Sequence, residues 1–395
     1  MKRLSRRQFM LATAVSFCST ATGHARWPFF GADADAPADN RGTVFKKDAP
    51  TSLWKWSKAA YHFRRLDQGA VLCTLCPNRC RLSPGDRSVC RSRVNLDGTL
   101  YSLAYGNACS ANVDPVEKKP LFHFLPTTRA FSIAAAGCNF RCLNCQNWEI
   151  SQVRPEDVRH LDLFPEAVVK AAVKSGCQSI AYTYSEPTTF YEYMIDTARI
   201  ARTRGLHNIW VSNGYINQDP LIALCGVLDG ANVNLKSISD DVYRQLNGGR
   251  LKPVLDTFVT LHRQGVHFEM THLVVPGYGD SDEMVQRMCG WILEHLGPNY
   301  PLHFLRFFPR YQLDRLAPTP VATLIRFREL AMAEGIRYVY LGNVQGHAGN
   351  HTFCHHCKRL LVERQGYHIP TFHITKGSCQ FCHTPIPGVW PADGV

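Results

Sequence analysis

The chain has 395 residues, of which 45% are hydrophobic and 19% are charged. This composition is ordinary for a globular protein and excludes disorder over most of the length. The formal net charge is +12, but the basic residues are scattered along the chain, so charge alone does not indicate nucleic-acid binding. Eleven of the 16 cysteines fall into three short groups with metal-ligand spacing, which favours metal sites over disulfides.

The three cysteine groups are named here by their place in the chain. The N-terminal group is Cys73, Cys76, Cys80 and Cys90, the central group is Cys138, Cys142 and Cys145, and the C-terminal group is Cys354, Cys357, Cys379 and Cys382. Four further cysteines lack metal spacing, and buried apolar packing is their expected role: Cys109, Cys177, Cys225 and Cys289.

The first 60 residues are predicted to be an export signal followed by a linker. Arg6-Arg7 precede a short apolar stretch, and residues 1–25 together resemble a twin-arginine signal peptide. The stretch is too short for a membrane span, which needs roughly 20 apolar residues. Residues 26–60 are the predicted linker. The expected location is the periplasm, with a cytoplasmic chain or one anchored in the membrane by an uncleaved signal as alternatives.

From residue 131 onward, short apolar runs alternate with amphipathic segments. Predicted strands cover residues 131–136, 179–184, 207–213, 231–236, 267–275, 303–308 and 337–342, and predicted helices cover residues 164–176, 188–204, 219–228, 251–264, 281–296 and 321–334. Such alternation requires parallel strands with right-handed crossovers, and it falls short of the eight units of a complete barrel. The predicted fold class of residues 129–345 is α/β, a partial (β/α)6 barrel.

Polar residues at the ends of the predicted strands give a first indication of the site, because ligands of parallel β/α folds gather there. The residues at these ends include Cys138, Ser185, Glu186, Ser212, Asn213 and Lys236. One rim of the predicted fold therefore collects a thiol, a carboxylate, an amide and a cation.

The central group has the spacing Cys-x3-Cys-x2-Cys on the loop after the first predicted strand. Three thiolates on a tight loop can hold three irons of a [4Fe–4S] cube and leave the fourth iron open. Zinc or a purely structural cluster is the alternative. Here the sequence resembles the radical S-adenosylmethionine superfamily. The resemblance implies that S-adenosylmethionine chelates the open iron and that one electron then releases a 5′-deoxyadenosyl radical, which abstracts hydrogen from a substrate.

Other strand ends resemble the cofactor contacts of this superfamily. The Ser185-Glu186 pair resembles the segment that binds the amino group of the cofactor, Ser212-Asn213 resembles the ribose-facing strand end, and Lys236 resembles the lysine of an Asp-x-Lys element. Two positions differ from the family pattern. Asn144 stands where an aromatic residue is usual, and Asn234 replaces the acid before Lys236.

Flanking segments narrow the resemblance to the AmmeMemoRadiSam system radical SAM proteins, which are relatives of the glycyl-radical-enzyme activases. The matching segments are residues 114–126, 146–148 and 340–344. This resemblance implies an AMMECR-type protein and a Memo-type protein as functional partners, together with an electron donor. It leaves open whether the reaction is activase-like or modifies a small molecule.

The two outer cysteine groups are predicted to bind metal. The N-terminal group lies in a Cys-rich extension, residues 61–128, and its spacing suits zinc or an auxiliary [4Fe–4S] cluster, with unligated thiols as the alternative. The C-terminal group forms two Cys-x2-Cys knuckles in residues 346–395, which resemble a zinc-ribbon or rubredoxin-like site for zinc or iron.

The leading hypothesis is thus a radical enzyme that carries a [4Fe–4S] cluster and S-adenosylmethionine. The alternative is an exported iron–sulfur or zinc protein that binds metal or transfers electrons without radical chemistry. Export gives the alternative weight, because S-adenosylmethionine and low-potential electrons are supplied in the cytoplasm. No nucleic-acid partner is expected, and membrane contact is expected only through the export route or a retained signal.

Overall fold

The computed structural model describes residues 43–391. The predicted signal peptide and residues 26–42 of the predicted linker lie outside the described residues. Over residues 43–391, no helix is long and apolar enough to cross a membrane.

The part before the central sheet is built from short antiparallel strands. These are β1 (Lys58–Ala59), β2 (Phe63–Arg65), β3 (Val71–Cys73), β4 (Arg81–Leu82), β5 (Arg93–Leu96), β6 (Thr99–Ser102) and β7 (Asn107–Ala108). They form one small sheet of order β1-β6-β5 and another of order β2-β3-β4. The four thiols of the N-terminal group are carried by these strands and their turns.

Residues 43–60, which the sequence predicts to be part of a linker, are packed against the rest of the chain. Strand β1 pairs with β6, and Phe45 forms an isolated antiparallel bridge with Arg87. The Lys46 ammonium donates to Asp86 at 2.9 Å. Residues 43–60 therefore pack on the Cys-rich extension instead of forming a free linker. Their aromatic and basic side chains have partners there, and a composition rich in Ala, Asp and Pro does not indicate such contacts.

A single eight-stranded sheet organises residues 110–342. The strands of this region are β8 (Ser110–Pro115), β9 (Arg129–Ala134), β10 (Leu161–Asp162), β11 (Ser179–Tyr182), β12 (His207–Ser212), β13 (Gly230–Asn234), β14 (His267–Val274), β15 (Leu302–Arg306) and β16 (Val339–Gly342). All but β10 belong to the sheet, in the order β16-β15-β14-β13-β12-β11-β9-β8. Strands β9 and β11 to β16 are mutually parallel, at the seven places where the sequence predicts strands.

Helices connect the parallel strands. They are α1 (Trp148–Ser151), α2 (Pro165–Lys174), α3 (Tyr191–Thr203), α4 (Gln218–Cys225), α5 (Asp240–Val242), α6 (Leu251–Arg263), α7 (Asp282–His295) and α8 (Val321–Glu334). Helix α7 shows why these segments form. The Ser281 hydroxyl caps its first turn by accepting from the Met284 amide at 3.2 Å, and its buried residues recur at helical spacing along one face.

The C-terminal residues form a separate small module. Its strands are β17 (Thr352–Phe353), β18 (Leu360–Gln365), β19 (His368–Phe372), β20 (Ile374–Thr375) and β21 (Ser378–Cys379). The module contacts the sheet region through Arg364, whose guanidinium lies 4.1 Å from the Phe122 ring centroid and donates to the Phe122 carbonyl at 2.9 Å. The Tyr340 hydroxyl, on β16, also hydrogen-bonds Thr352 at 2.8 Å.

Candidate functional site

The loop that carries the central group begins at a glycine that cannot be replaced without strain. Gly137 has a φ of 113°, and a Cβ there would lie 2.7 Å from the Cys90 carbonyl oxygen. Only a residue without a side chain fits this turn. The chain leaves β9 at this point and places Cys138 over the carboxyl ends of the neighbouring strands.

A segment that is distant in sequence holds the far side of the loop. The Arg141 and Leu143 amides donate to the carbonyls of Asn247 and Leu246 at 2.8 and 2.9 Å. Gly249 packs so closely on the Phe140 ring that a Cβ would lie 2.2 Å from it. The loop is therefore positioned by main-chain contacts on both sides, which fixes the directions of its thiols.

Hydrogen-bond donors point at the Cys138 and Cys142 thiols. The Asn247 side-chain amide donates to the Cys142 Sγ at 3.2 Å, and the Phe140 amide donates to the Cys138 Sγ at 3.4 Å. The Asn213 side-chain amide lies 3.8 Å from the same Cys138 Sγ. Such donors stabilise the thiolate, which is the form of cysteine that binds metal.

Without metal, the Cys138 and Cys145 thiols hold their protons. Burial raises the pKa of Cys138 well above its usual value, and the nearby Glu186 carboxylate raises it further. Burial and Cys142 raise the pKa of Cys145 to about 11, although the Asn147 amide and Lys236 oppose the shift. Metal binding at this loop must therefore release protons.

The ends of β11 and β12 meet beside the loop through one buried carboxylate. Glu186 Oε1 accepts from the Thr188 amide at 2.9 Å and from the Ser212 hydroxyl at 2.7 Å, while Oε2 accepts from the Asn213 amide at 2.9 Å. Burial raises the pKa of Glu186, and these donors lower it in part. The carboxylate thus joins two strand ends at the point where they face Cys138.

The two remaining predicted cofactor contacts, Ser185 and Lys236, differ in how closely their side chains are held by neighbouring groups. The Ser185 hydroxyl donates to the Ala135 carbonyl at 2.5 Å, so in this structure it braces the end of β9. The half-buried Lys236 ammonium lies 3.5 Å from Asn234 Oδ1 and close enough to Cys145 to lower the pKa of that thiol. The structure brings Cys138, Glu186 and the Ser212-Asn213 pair together on one side, and places Lys236 toward Cys145.

Two asparagines at this site were not predicted. Asn247 precedes a Gly-Gly turn and lies 105 residues from the thiol that it contacts. Asn139 accepts from the Asn213 side chain at 2.8 Å and donates to the Tyr215 carbonyl at 2.7 Å. The glycines after Asn247 indicate a turn, but no local pattern indicates that its amide reaches a thiol.

The central and C-terminal groups differ in the spacing of their sulfur atoms. The C-terminal Sγ atoms all lie within 4.8 Å of one another, and within residues 43–391 no other set of three or more ligand atoms is as compact. Thiolates that bind different irons of a cube lie farther apart than thiolates on one ion. The central group is therefore not spaced for one tetrahedral ion, and its three thiols match the ligand number of a cube with one open iron.

The C-terminal group has the geometry of a single-ion site. Two sulfur pairs, Cys354 with Cys382 and Cys357 with Cys379, are separated by 3.6 and 3.7 Å. Four thiolates about 2.3 Å from a tetrahedral ion would lie roughly 3.8 Å apart. The group could hold one zinc or iron ion.

Comparisons with known proteins point to one family. A family model of the radical SAM superfamily matches residues 132–292. An uncharacterized protein of Methanocaldococcus jannaschii is 42% identical over 331 residues, which cover 83% of this chain and 98% of that protein. The pyruvate formate-lyase 1-activating enzyme of Escherichia coli is 24% identical over 221 residues, which cover 52% of this chain and 89% of that enzyme.

More distant similarities were also found. The GTP 3',8-cyclase of Pelotomaculum thermopropionicum is 24% identical over 256 residues, which cover 58% of this chain and 76% of the cyclase. Among solved structures, Streptococcus suis SuiB bound to S-adenosylmethionine matches with a TM-score of 0.44 and 11% identity, over 58% of this chain and 53% of SuiB. The segment that matches the family model contains the central group and the strand ends described above.

Proposed function

Because this chain belongs to the radical SAM superfamily, we propose that it cleaves S-adenosylmethionine reductively and abstracts hydrogen from a substrate bound at the strand ends. The observation that carries the proposal is the arrangement of Cys138, Glu186 and Asn213. A thiol of a three-cysteine loop, a buried carboxylate and a side-chain amide converge there within a few ångströms. A proposed metal ligand thus lies beside polar groups that could bind the amino and carboxylate groups of S-adenosylmethionine.

The central group would hold a [4Fe–4S] cluster through three thiolates. Reductive cleavage of S-adenosylmethionine to methionine and a 5′-deoxyadenosyl radical is the chemistry that the cofactor pair supplies when bound. The Asn247 and Phe140 donors favour the charged sulfurs, since hydrogen bonds to ligand sulfur stabilise negative charge. The family pattern implies the open iron as the place where the cofactor binds.

The strand ends would bind and orient the cofactor. Glu186 is buried with only neutral donors around its oxygens, so an ammonium group nearby would compensate its charge. Asn213 stands between Glu186 and Cys138 and can direct a second polar contact. Lys236, on the Cys145 side, is available for an acidic or hydroxyl group of the bound molecules.

The finer expectations are part of the same proposal. The sheet is proposed to curve as the partial (β/α)6 barrel of the superfamily. Segments 114–126, 146–148 and 340–344 support assignment to the AmmeMemoRadiSam group, with AMMECR-type and Memo-type proteins and an electron donor as partners. The twin arginine supports export to the periplasm, with chemistry before export or with the signal retained as an anchor.

The proposal is tested by product analysis after anaerobic reconstitution with iron and sulfide. Dithionite-reduced full-length protein with S-adenosylmethionine is expected to form 5′-deoxyadenosine and methionine in equal amounts. Cys142→Ala, which removes one of the three thiolates, is expected to lose this activity.

Cys177→Ala is the matched control, because this buried thiol lies outside the three metal-spaced groups. It is expected to retain wild-type product formation. A wild-type protein whose central cluster is reduced, but which neither binds nor cleaves S-adenosylmethionine, would contradict the proposal and favour an electron-transfer role.

A further inference from the structure

The four thiols of the N-terminal group line one buried cavity. Their residues are between 4% and 9% exposed, although they come from β3, from the turn before β4 and from the turn before β5. The same cavity is lined by Arg93 and by Thr188 and Thr189, which follow Glu186 at the end of β11. The fold therefore gathers four thiols and several polar side chains around one enclosed space.

The spacing of these thiols does not suit a single ion. The C-terminal group is the one set within residues 43–391 whose ligand atoms all lie within 4.8 Å of one another, so no three N-terminal thiols meet this distance. Thiolates on a tetrahedral ion would lie roughly 3.8 Å apart. The N-terminal group shares its wider spacing with the central group, where three thiols fit a cube.

Two buried polar atoms at this cavity lack a partner. Arg93 Nε and Thr188 Oγ1 have no hydrogen bond, and their residues are 1% and 0% exposed. Leaving such a buried group unsatisfied is unfavourable. The inorganic sulfides of a [4Fe–4S] cube are acceptors that a zinc ion does not provide, so a cube would satisfy both atoms.

Polar donors also line the cavity. Arg93 forms a fully buried, two-contact ion pair with Glu192 at 2.7 and 3.0 Å, which keeps the guanidinium at the cavity wall. The Ser88 and Ser92 hydroxyls lie 3.0 and 3.3 Å from the Cys90 Sγ and can donate to its thiolate. Charge-assisted hydrogen bonds of this kind are stronger than neutral ones.

This cavity is adjacent to the loop of the central group. The Asn78 side chain donates to the Asn139 carbonyl at 2.9 Å, and Asn139 directly follows Cys138. Thr189 donates to the Gly137 carbonyl at 3.3 Å, and the Cβ position of Gly137 lies 2.7 Å from the Cys90 carbonyl oxygen. Residues that line the cavity thus contact both ends of the Gly137 to Asn139 turn.

We propose that Cys73, Cys76, Cys80 and Cys90 bind a second [4Fe–4S] cluster, ligated entirely by protein and placed beside the loop of the central group. Arg93 and Thr188 donate to its sulfides. The proposal is independent of whether the central group cleaves S-adenosylmethionine, since it concerns a different set of thiols.

The test uses full-length protein in which the central group is replaced, Cys138→Ala, Cys142→Ala and Cys145→Ala together. After anaerobic reconstitution, this variant is expected to keep about four sulfide per chain and about four iron beyond any ion held by the C-terminal group. Dithionite reduction is expected to give the electron paramagnetic resonance signal of a reduced cluster. Zinc at the N-terminal group with no acid-labile sulfide would overturn the proposal.

A second variant assigns the iron to its ligands. Adding Cys73→Ser and Cys80→Ser to the triple variant is expected to remove the remaining cluster, whereas adding Cys177→Ala and Cys225→Ala is expected to leave it in place. Retention of four iron and sulfide after the serine replacements would also overturn the proposal. Neither S-adenosylmethionine binding nor product formation enters these readouts, so failure here is distinguishable from failure of the proposed function.

Discussion

At the scale of single residues, Asn247 has the most direct effect on the proposed cluster. Its side-chain amide donates to the Cys142 Sγ at 3.2 Å from a fully buried position. A hydrogen bond to a ligand sulfur stabilises the more negative, reduced state of a cluster more than the oxidised state. Asn247 is therefore a positioning and tuning residue rather than a ligand.

Asn247→Ala is expected to lower the midpoint potential of the central cluster. A loss of about 1 kcal/mol from the reduced state corresponds to roughly 40 mV for one electron. A redox titration followed by electron paramagnetic resonance measures the shift, with Asn299→Ala, a partly buried asparagine that contacts Arg337, as the control. An unchanged or raised potential in Asn247→Ala would contradict this role.

Single residues also show which parts of the site can be predicted from the sequence and which cannot. The three central cysteines lie within eight positions, so their spacing alone predicts a cluster loop. Asn247 and the cavity residue Thr188 reach their sites only through tertiary contacts made far along the chain. Local spacing therefore predicts metal ligands, but not the donors around them.

At the scale of elements, the C-terminal module contacts the sheet region through a buried histidine. The His123 Nδ1 atom lies 2.6 Å from the Pro387 carbonyl, which can only accept, and its Nε2 lies 2.6 Å from the Tyr340 hydroxyl. Burial lowers the pKa of His123 to about 3; Glu269 and the Pro387 contact oppose the shift, whereas Arg364 and His267 add to it. The neutral ring is thus part of the contact.

This contact is expected to weaken in acid. Below the unfolded pKa of about 6.5, His123 takes up a proton when the chain unfolds but stays neutral in the folded state down to about pH 3. Its contribution to stability is therefore complete above pH 6.5 and falls as pH decreases. Between pH 7.5 and 5.0 the loss is about 2 kcal/mol, at 1.36 kcal/mol for each pH unit below 6.5.

Urea unfolding at the two pH values, followed by tryptophan fluorescence that includes Trp390 beside His123, measures this loss. The variant His123→Gln is expected to lose about 2 kcal/mol less than the wild type over that range. Glu269 contributes little to the pH dependence of stability in that range. Burial raises its pKa, but the opposing effects, chiefly hydrogen bonds from His267 and His303, together outweigh it, so its net pKa lies below the usual 4.5 and the group stays ionised in the folded protein. Equal pH dependence in the two proteins would show that His123 does not control the contact.

Elements differ in how well the sequence predicts them. The parallel strands are short apolar runs between amphipathic helices, and all seven were predicted close to their observed bounds. Strand β8, the antiparallel edge strand, was missed because most of its residues are partly or fully exposed and carry no apolar run. The contacts of residues 43–60 were missed because a composition typical of linkers does not indicate which distant residues a segment contacts.

At the scale of the whole molecule, the chain carries three groups of thiols with metal-ligand spacing. The central group lies at the strand ends, the N-terminal group lies against its loop, and the C-terminal group sits in the module that contacts β16. Only the C-terminal thiols are spaced for one ion within the described residues. We therefore propose cubes for the first two groups and a single ion for the third.

The central claim is that the cluster of the central group leaves one iron open for S-adenosylmethionine. Electron–nuclear double resonance on the reduced protein, with the cofactor labelled in its amino and carboxylate groups, tests this claim most directly. The account predicts hyperfine coupling from the label that disappears in Cys142→Ala and persists in Cys177→Ala. A reduced central cluster that shows no coupling to the label would contradict it.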